Sequence, residues 1–158
     1  MSAEPAWTRR HSLHALGLLA LGGPVWAAGQ ALPLSASLQG ELAVARKARQ
    51  PLVVMVSLHR CPWCEAVRNN YLAPMHAHEG LAVVQVDMRS AARSRTPDGA
   101  ATTHDALVRA WGVKVAPTLL FLGPRGTEVA ERLVGGATDF YAASLDKRLA
   151  QARQALTG

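Results

Sequence analysis

Cys61 and Cys64 stand two residues apart, with Pro62 and Trp63 between them, and they are the only cysteines in a chain of 158 residues. A pair this close cannot staple distant parts of a fold, and the loop it closes is too small to stabilise much. The spacing suits reversible chemistry instead. A thiolate at the first position attacks a substrate disulfide, and the second thiol, one helical turn on, resolves the mixed disulfide. An unperturbed cysteine, with a pKa of about 8.5, supplies little thiolate at neutral pH. A helix N-terminus supplies more, because unpaired N–H groups and aligned peptide dipoles favour negative charge there. Pro62 suits a first helical turn, where its missing N–H is not needed, and Arg60 and His59, just ahead of Cys61, can add positive potential. Cys61 is therefore read as the exposed nucleophile and Cys64 as the resolving thiol. Trp63 supplies apolar surface beside the sulfurs, suited to gripping peptide substrates.

Other uses of the pair fit less well. Haem attachment wants Cys-x-x-Cys-His, and Glu65 holds the fifth place. Zinc and iron–sulfur sites want about four ligands. His76 and His78 are the only near candidates, and their H-x-H spacing misses the usual pattern. Neither a metal nor a cofactor is expected. The alternative to an enzyme is a binding module whose dithiol is a regulatory switch or handles a metal.

The elements around the pair follow from pattern. Leu38–Arg49 reads as a helix, with Leu38, Leu42, Ala43 and Ala45 near one face and basic residues in its last turn. Leu52–Leu58 is an unbroken apolar run of strand length, as expected for a strand covered on both faces. The dithiol follows directly and opens a helix to about Ala77. Leu81–Asp87 reads as a second buried strand, Arg89–Thr103 as a polar loop turning at Pro97-Asp98-Gly99, and His104–Trp111 as a short helix. Leu32–Ser37 is expected to be a loose lead-in. Thr118–Leu122, a turn at Gly123–Gly126 and Glu128–Val134 make a hairpin, broken by Gly135-Gly136. Thr138 is expected to cap a last amphipathic helix, with Phe140, Leu145, Leu149, Ala152 and Leu156 on its buried side.

An αβαβα half with parallel strands, followed by an antiparallel ββα half, is an α/β architecture. Over roughly residues 38–156 it resembles the exported, single-domain, thioredoxin-like oxidoreductases that carry a helix rather than an extra strand before the central strand. Three features carry the resemblance together: Cys-x-x-Cys between strand and helix, Val115-Ala116-Pro117-Thr118 before a strand, and Gly135 ahead of the last helix. The resemblance implies the thioredoxin fold, a central mixed sheet flanked by helices with its dithiol at a helix N-terminus. It further implies that Pro117 is cis and lies against the dithiol, where the neighbouring backbone at Ala116 pairs with substrate. Pro62 and Trp63 would tune the potential. Thioredoxins also carry a buried aspartate six residues before the first cysteine to assist proton transfer, and here that position is Met55. Glu65 is one possible substitute, and Asp87 another. The activity implied is reduction, rather than oxidation or isomerisation, of disulfides in exported cysteine-containing proteins, with a second redox partner recycling the dithiol.

Composition and the N-terminus bound the setting. Hydrophobic residues make up 49% of the chain and charged ones 18%, a balance that supports a packed core. The formal charge of +6 is scattered, with no run of five like charges and no interleaved aromatics, which argues against nucleic-acid binding. Arg9-Arg10, an apolar stretch Leu13–Leu21 and the small residues before Ala28 read as a signal peptide over residues 1–27, leaving a thioredoxin-like domain over 28–158. The stretch is shorter than the roughly 20 residues a membrane span needs, so no stable insertion is expected. Thr8-Arg9-Arg10 resembles a twin-arginine signal, but Ser12 stands where a large apolar residue is preferred, so both this route and the general secretory route stay open. The expected compartment is the periplasm, and the expected state a monomer.

Overall fold

Every residue of the run Leu52–Ser57 (β1) is buried, because helices cover both faces of the strand. Side chains alternate across it. Val53 and Met55 face one apolar cluster, and Leu52, Val54 and Val56 face the other. That is why the sequence shows a continuous apolar run instead of an alternating one. In the computed structural model, which describes residues 31–136 and 139–157, β1 pairs in parallel with Val83–Asp87 (β2) and antiparallel with Thr118–Leu122 (β5). Glu128–Val134 (β6) closes the far edge, giving the order β2-β1-β5-β6. Helices α2 (Pro62–Val67), α3 (Ala73–Glu79) and α5 (Tyr141–Ala155) cover one face of the sheet. Helices α1 (Leu38–Lys47) and α4 (His104–Ala110) cover the other.

Helix α1 starts where capping chemistry starts it. Ser37 accepts the Gly40 N–H, and the Glu41 carboxylate accepts those of Ala36 and Ser37. It buries Leu38, Leu42 and Ala45, as its spacing predicts, and ends at Lys47. The helix that the dithiol opens runs on to Glu79, but not evenly. A π turn at Arg68–Leu72 separates α2 from α3. Pro74 explains it: a proline here would clash with the carbonyl four residues back in a regular helix, and the wider turn moves that carbonyl away.

Three expectations need correcting. The lead-in is not loose. Ser35 donates to the Gln85 carbonyl and Gln85 to that of Pro33, so Leu34 bridges in parallel to the outer edge of β2. The segment Arg89–Thr103 is not only loop, for Arg93–Arg95 (β3) and Ala101–Thr103 (β4) pair antiparallel around a turn in which Thr96, Asp98 and Ala100 share hydrogen bonds. Its strands are only three residues each, Arg-Ser-Arg and Ala-Thr-Thr, with no large apolar residue to announce them. The last helix begins at Tyr141, and Phe140 sits before it, 76% exposed instead of buried. Thr138 lies outside the described residues. Leu145, Leu149 and Ala152 are buried as expected, Leu156 partly so, and Tyr141 joins them.

Tyr141 carries a cost. Among the described residues its hydroxyl is buried without a hydrogen-bond partner, and its ring lies 5.1 Å from that of Tyr71. Burial, reinforced by Tyr71, pushes the phenol above its ordinary value of 10.0. A group whose pKa is raised by folding stabilises the fold fully below its unfolded pKa. It loses that contribution as pH climbs from the unfolded towards the folded value. Denaturant unfolding should therefore show stability falling above about pH 10. Tyr141→Phe should flatten that limb, and it should leave neutral-pH stability equal or higher by up to roughly 1 kcal/mol, because an apolar replacement removes an unsatisfied group. A fall of more than that at neutral pH would mean that the hydroxyl has a partner in solution.

Candidate functional site

Cys61 is the N-cap of α2, with extended backbone (φ −104°, ψ 105°), and its Sγ accepts the N–H of Cys64 at 3.2 Å. The helix N-terminus thus points one of its free donors at this sulfur, which is the arrangement that stabilises a thiolate. The two cysteines form a disulfide, their Cα atoms 5.2 Å apart. Their exposure differs. Cys61 is half-buried, while Cys64 is 0% exposed within an apolar cluster that includes Met55, Val67 and Leu119. An incoming thiol or disulfide therefore meets Cys61. Met55, at the position where a buried acid would serve Cys64, is itself completely buried and offers no proton.

The second half of the site comes from the turn before β5. The Ala116–Pro117 peptide bond is cis, Pro117 is buried, and the Ala116 carbonyl oxygen lies 3.9 Å from Cys61 Sγ. Thr118 Oγ1 donates to the Val115 carbonyl at 2.7 Å, and the Gly135 N–H donates to that of Pro117 at 2.8 Å. The turn is thus tied to its own strand and to the end of β6. Gly135 needs its lack of a side chain because its φ is +84°. Gly136 needs it for space. A Cβ there would stand 3.0 Å from Val67 Cγ2, 3.2 Å from Pro117 Cγ and 3.3 Å from the Trp63 carbonyl oxygen. Trp63, Val115 and Val134 are each half exposed or more, apolar groups beside Cys64, before Pro117 and at the end of β6.

The candidates from the sequence thus divide. Cys61, Cys64, Trp63, Ala116 and Pro117 come together, and Pro62 starts the helix beside them. Glu65 is exposed on α2 and faces a cleft with Arg68 and Asp87; among the described residues it makes no hydrogen bond to either sulfur. Asp87 accepts from Gln85 Nε2 at 2.7 Å. His76 binds the Leu81 carbonyl through Nδ1. Two residues escaped the sequence reading. Gly136 closes on the site where only the Gly-Gly break was visible. Arg68, one turn beyond Cys64, reaches Gln85 and Ser57; its helical spacing from the dithiol was the available signal.

A family model described as a thioredoxin-like domain matches residues 38–152. The chain belongs to that family. It carries the fold and the paired cysteines of a thiol–disulfide oxidoreductase. Solved structures agree on the fold. A structure titled DsbH oxidoreductase is 18% identical, with TM-score 0.50, and the match covers 90% of this chain and 95% of that one. The C-terminal domain of DsbD from Neisseria meningitidis, in its oxidised form, is 17% identical, with TM-score 0.50 and coverage of 73% and 98%. Thioredoxin from Fasciola hepatica is 16% identical at the same TM-score, with coverage of 74% and 99%. No curated protein matches the chain. Among the described residues no helix is long and apolar enough to cross a membrane.

Proposed function

We propose that the chain is exported to the periplasm and there reduces disulfides in other exported proteins, with Cys61 as nucleophile and Cys64 as resolving thiol. The observation that carries this is the asymmetry of the pair, with one sulfur at a helix N-terminus and within reach of substrate, and the other sealed in the core. The open backbone at Ala116, 3.9 Å from Cys61 Sγ, gives an extended substrate segment a place to pair as it presents its disulfide. The exposed apolar side chains of Trp63 and Val115 would grip the rest of that segment. Export rests on the basic, apolar and small-residue order of residues 1–27. The direction of electron flow rests on the likeness to exported thioredoxin-like reductants.

Protein recovered from the cell envelope should begin at Ala28 and should accelerate reduction of insulin by dithiothreitol. Equilibrated with glutathione buffers, its dithiol should sit nearer the about −270 mV of thioredoxin than the about −120 mV of DsbA. Insulin reduction no faster than the uncatalysed rate would point to a binding module. Catalysis with a potential near the upper value would keep the enzyme and reverse its direction.

A further inference from the structure

A cleft of about 450 Å³ opens beside the dithiol, between the turn after β1, the first turns of α2, and the end of β2 with the turn beyond it. Three arginines line it, Arg60, Arg68 and Arg89, with His59 beside them, against two acidic residues, Glu65 and Asp87. No direct ion pair joins these opposite charges among the described residues. The ion pairs among the described residues are Arg109–Asp105, Arg132–Glu128 and Arg148–Glu131, none of which involves a residue of the cleft. Half-buried Arg68 is held by neutral partners, donating from Nε to Gln85 Oε1 at 2.9 Å and from Nη2 to Ser57 Oγ at 3.3 Å. The Gln85 amide then donates to Asp87 Oδ1, satisfying the carboxylate without using the cation. Those bonds fix the guanidinium plane and leave most of its donors free.

Two of the turns that line the cleft share a further feature. Arg60 (φ +56°) and Arg89 (φ +57°) both hold left-handed backbone, where glycine or asparagine is the comfortable residue. Each turn therefore carries a long cationic side chain in a conformation that disfavours it, and both cations flank one cleft. Arg60 directly precedes Cys61, so the cleft begins one residue from the attacking sulfur.

We propose that this cleft is an anion subsite that selects disulfides carrying carboxylates within one or two residues of the attacked cysteine. An extended segment advances about 3.3–3.6 Å per residue, so a carboxylate at that spacing stays within the span of the Arg60 side chain, on the residue next to Cys61, while its disulfide meets the sulfur. The proposal rests on the oxidoreductase reading and adds its substrate preference. The same chemistry is offered by acidic stretches of a protein and by small peptide disulfides such as oxidised glutathione.

Paired peptide disulfides that differ only in Asp or Asn beside the cysteine, with oxidised glutathione as a third substrate, separate these outcomes. The wild type should favour the Asp peptide about tenfold in kcat/KM at low ionic strength, and added salt should shrink the ratio. In an Arg60→Asn/Arg89→Asn double variant, whose new residues suit left-handed backbone, the ratio should fall to about two, and Arg68→Gln should lower it independently. Arginine dependence seen with peptides assigns the subsite to protein segments, and dependence seen only with glutathione assigns it to a small disulfide. Equal rates for the two peptides in the wild type, with glutathione turnover unchanged by the substitutions, would overturn the subsite and leave the oxidoreductase standing. If no substrate turns over, calorimetry with a cysteine-free Asp peptide decides: binding that the double variant loses upholds the subsite, and no binding overturns it.

Discussion

Cys64→Ser should accumulate substrate proteins in mixed disulfides on Cys61, and Cys61→Ser should accumulate almost none. The reason lies in the order of bond changes. In the proposed reaction the Cys61 thiolate attacks one sulfur of the substrate disulfide, a Cys61–substrate bond forms, and the other substrate sulfur leaves as a thiolate that takes up a proton. Release of the substrate then needs a second thiolate, one turn along the helix, to attack Cys61 Sγ. Serine at 64 removes that attack and nothing before it. Serine at 61 removes the first attack, and Cys64, 0% exposed in its apolar surroundings, cannot replace it. Both variants should lose catalysed insulin reduction by about a thousandfold or more, because the two thiols act as one unit. Turnover alone therefore does not separate them, and the trapped species does. Non-reducing electrophoresis of envelope extracts from the two variants gives the answer, and a ladder from Cys61→Ser with none from Cys64→Ser would reverse the assignment.

The half of this chemistry that depends on sequence-local geometry was legible before any fold was known. A strand, a dithiol and a helix follow one another without a gap, so local order alone places Cys61 at the helix N-terminus. The strand Leu52–Ser57 was legible for the same reason: burial on both faces leaves an unbroken apolar run. What the sequence hid depends on long-range contacts or on polar residues with no period. Gly136 meets Trp63 and Pro117 across more than 70 and nearly 20 residues of chain, a proximity no local pattern encodes. The β3–β4 hairpin rests on backbone pairing between segments too short and polar to register. Leu34 looks like lead-in because its bridge to Gln85 is made by the backbone, which every residue shares. Phe140 failed in the opposite direction. Its position fits a buried helical face, but the helix starts one residue later, and the side chain stands in solvent.

His104 belongs with the hidden residues, and it yields the largest expected effect on stability. Nothing in the sequence separates it from the other five histidines. In the fold it is 0% exposed, and both ring nitrogens are engaged. Nδ1 accepts the Asp87 N–H at 3.0 Å, so the proton sits on Nε2, which donates to the Ser35 carbonyl at 2.8 Å. One ring thereby joins the lead-in, the end of β2 and the first turn of α4. Ser35 extends the link through its own hydroxyl to Glu41 and Ser94, tying in α1 and the β3–β4 hairpin. Leucine at 104 fills similar space but leaves a buried N–H and a buried carbonyl without partners, each at about 1–3 kcal/mol. A net loss of roughly 2–4 kcal/mol is expected, a large share of the 5–15 kcal/mol typical of a domain and about 10 °C in melting temperature. His104→Asn keeps an acceptor for the Asp87 N–H and should lose less. Hydrogen exchange locates the damage: the amides of Ser35, Gln85 and Asp87 should lose protection in His104→Leu, while those in the centre of β5 follow only the global change. A His104→Leu protein within about 0.5 kcal/mol of wild type would show that water satisfies both groups in solution and that the ring holds nothing together.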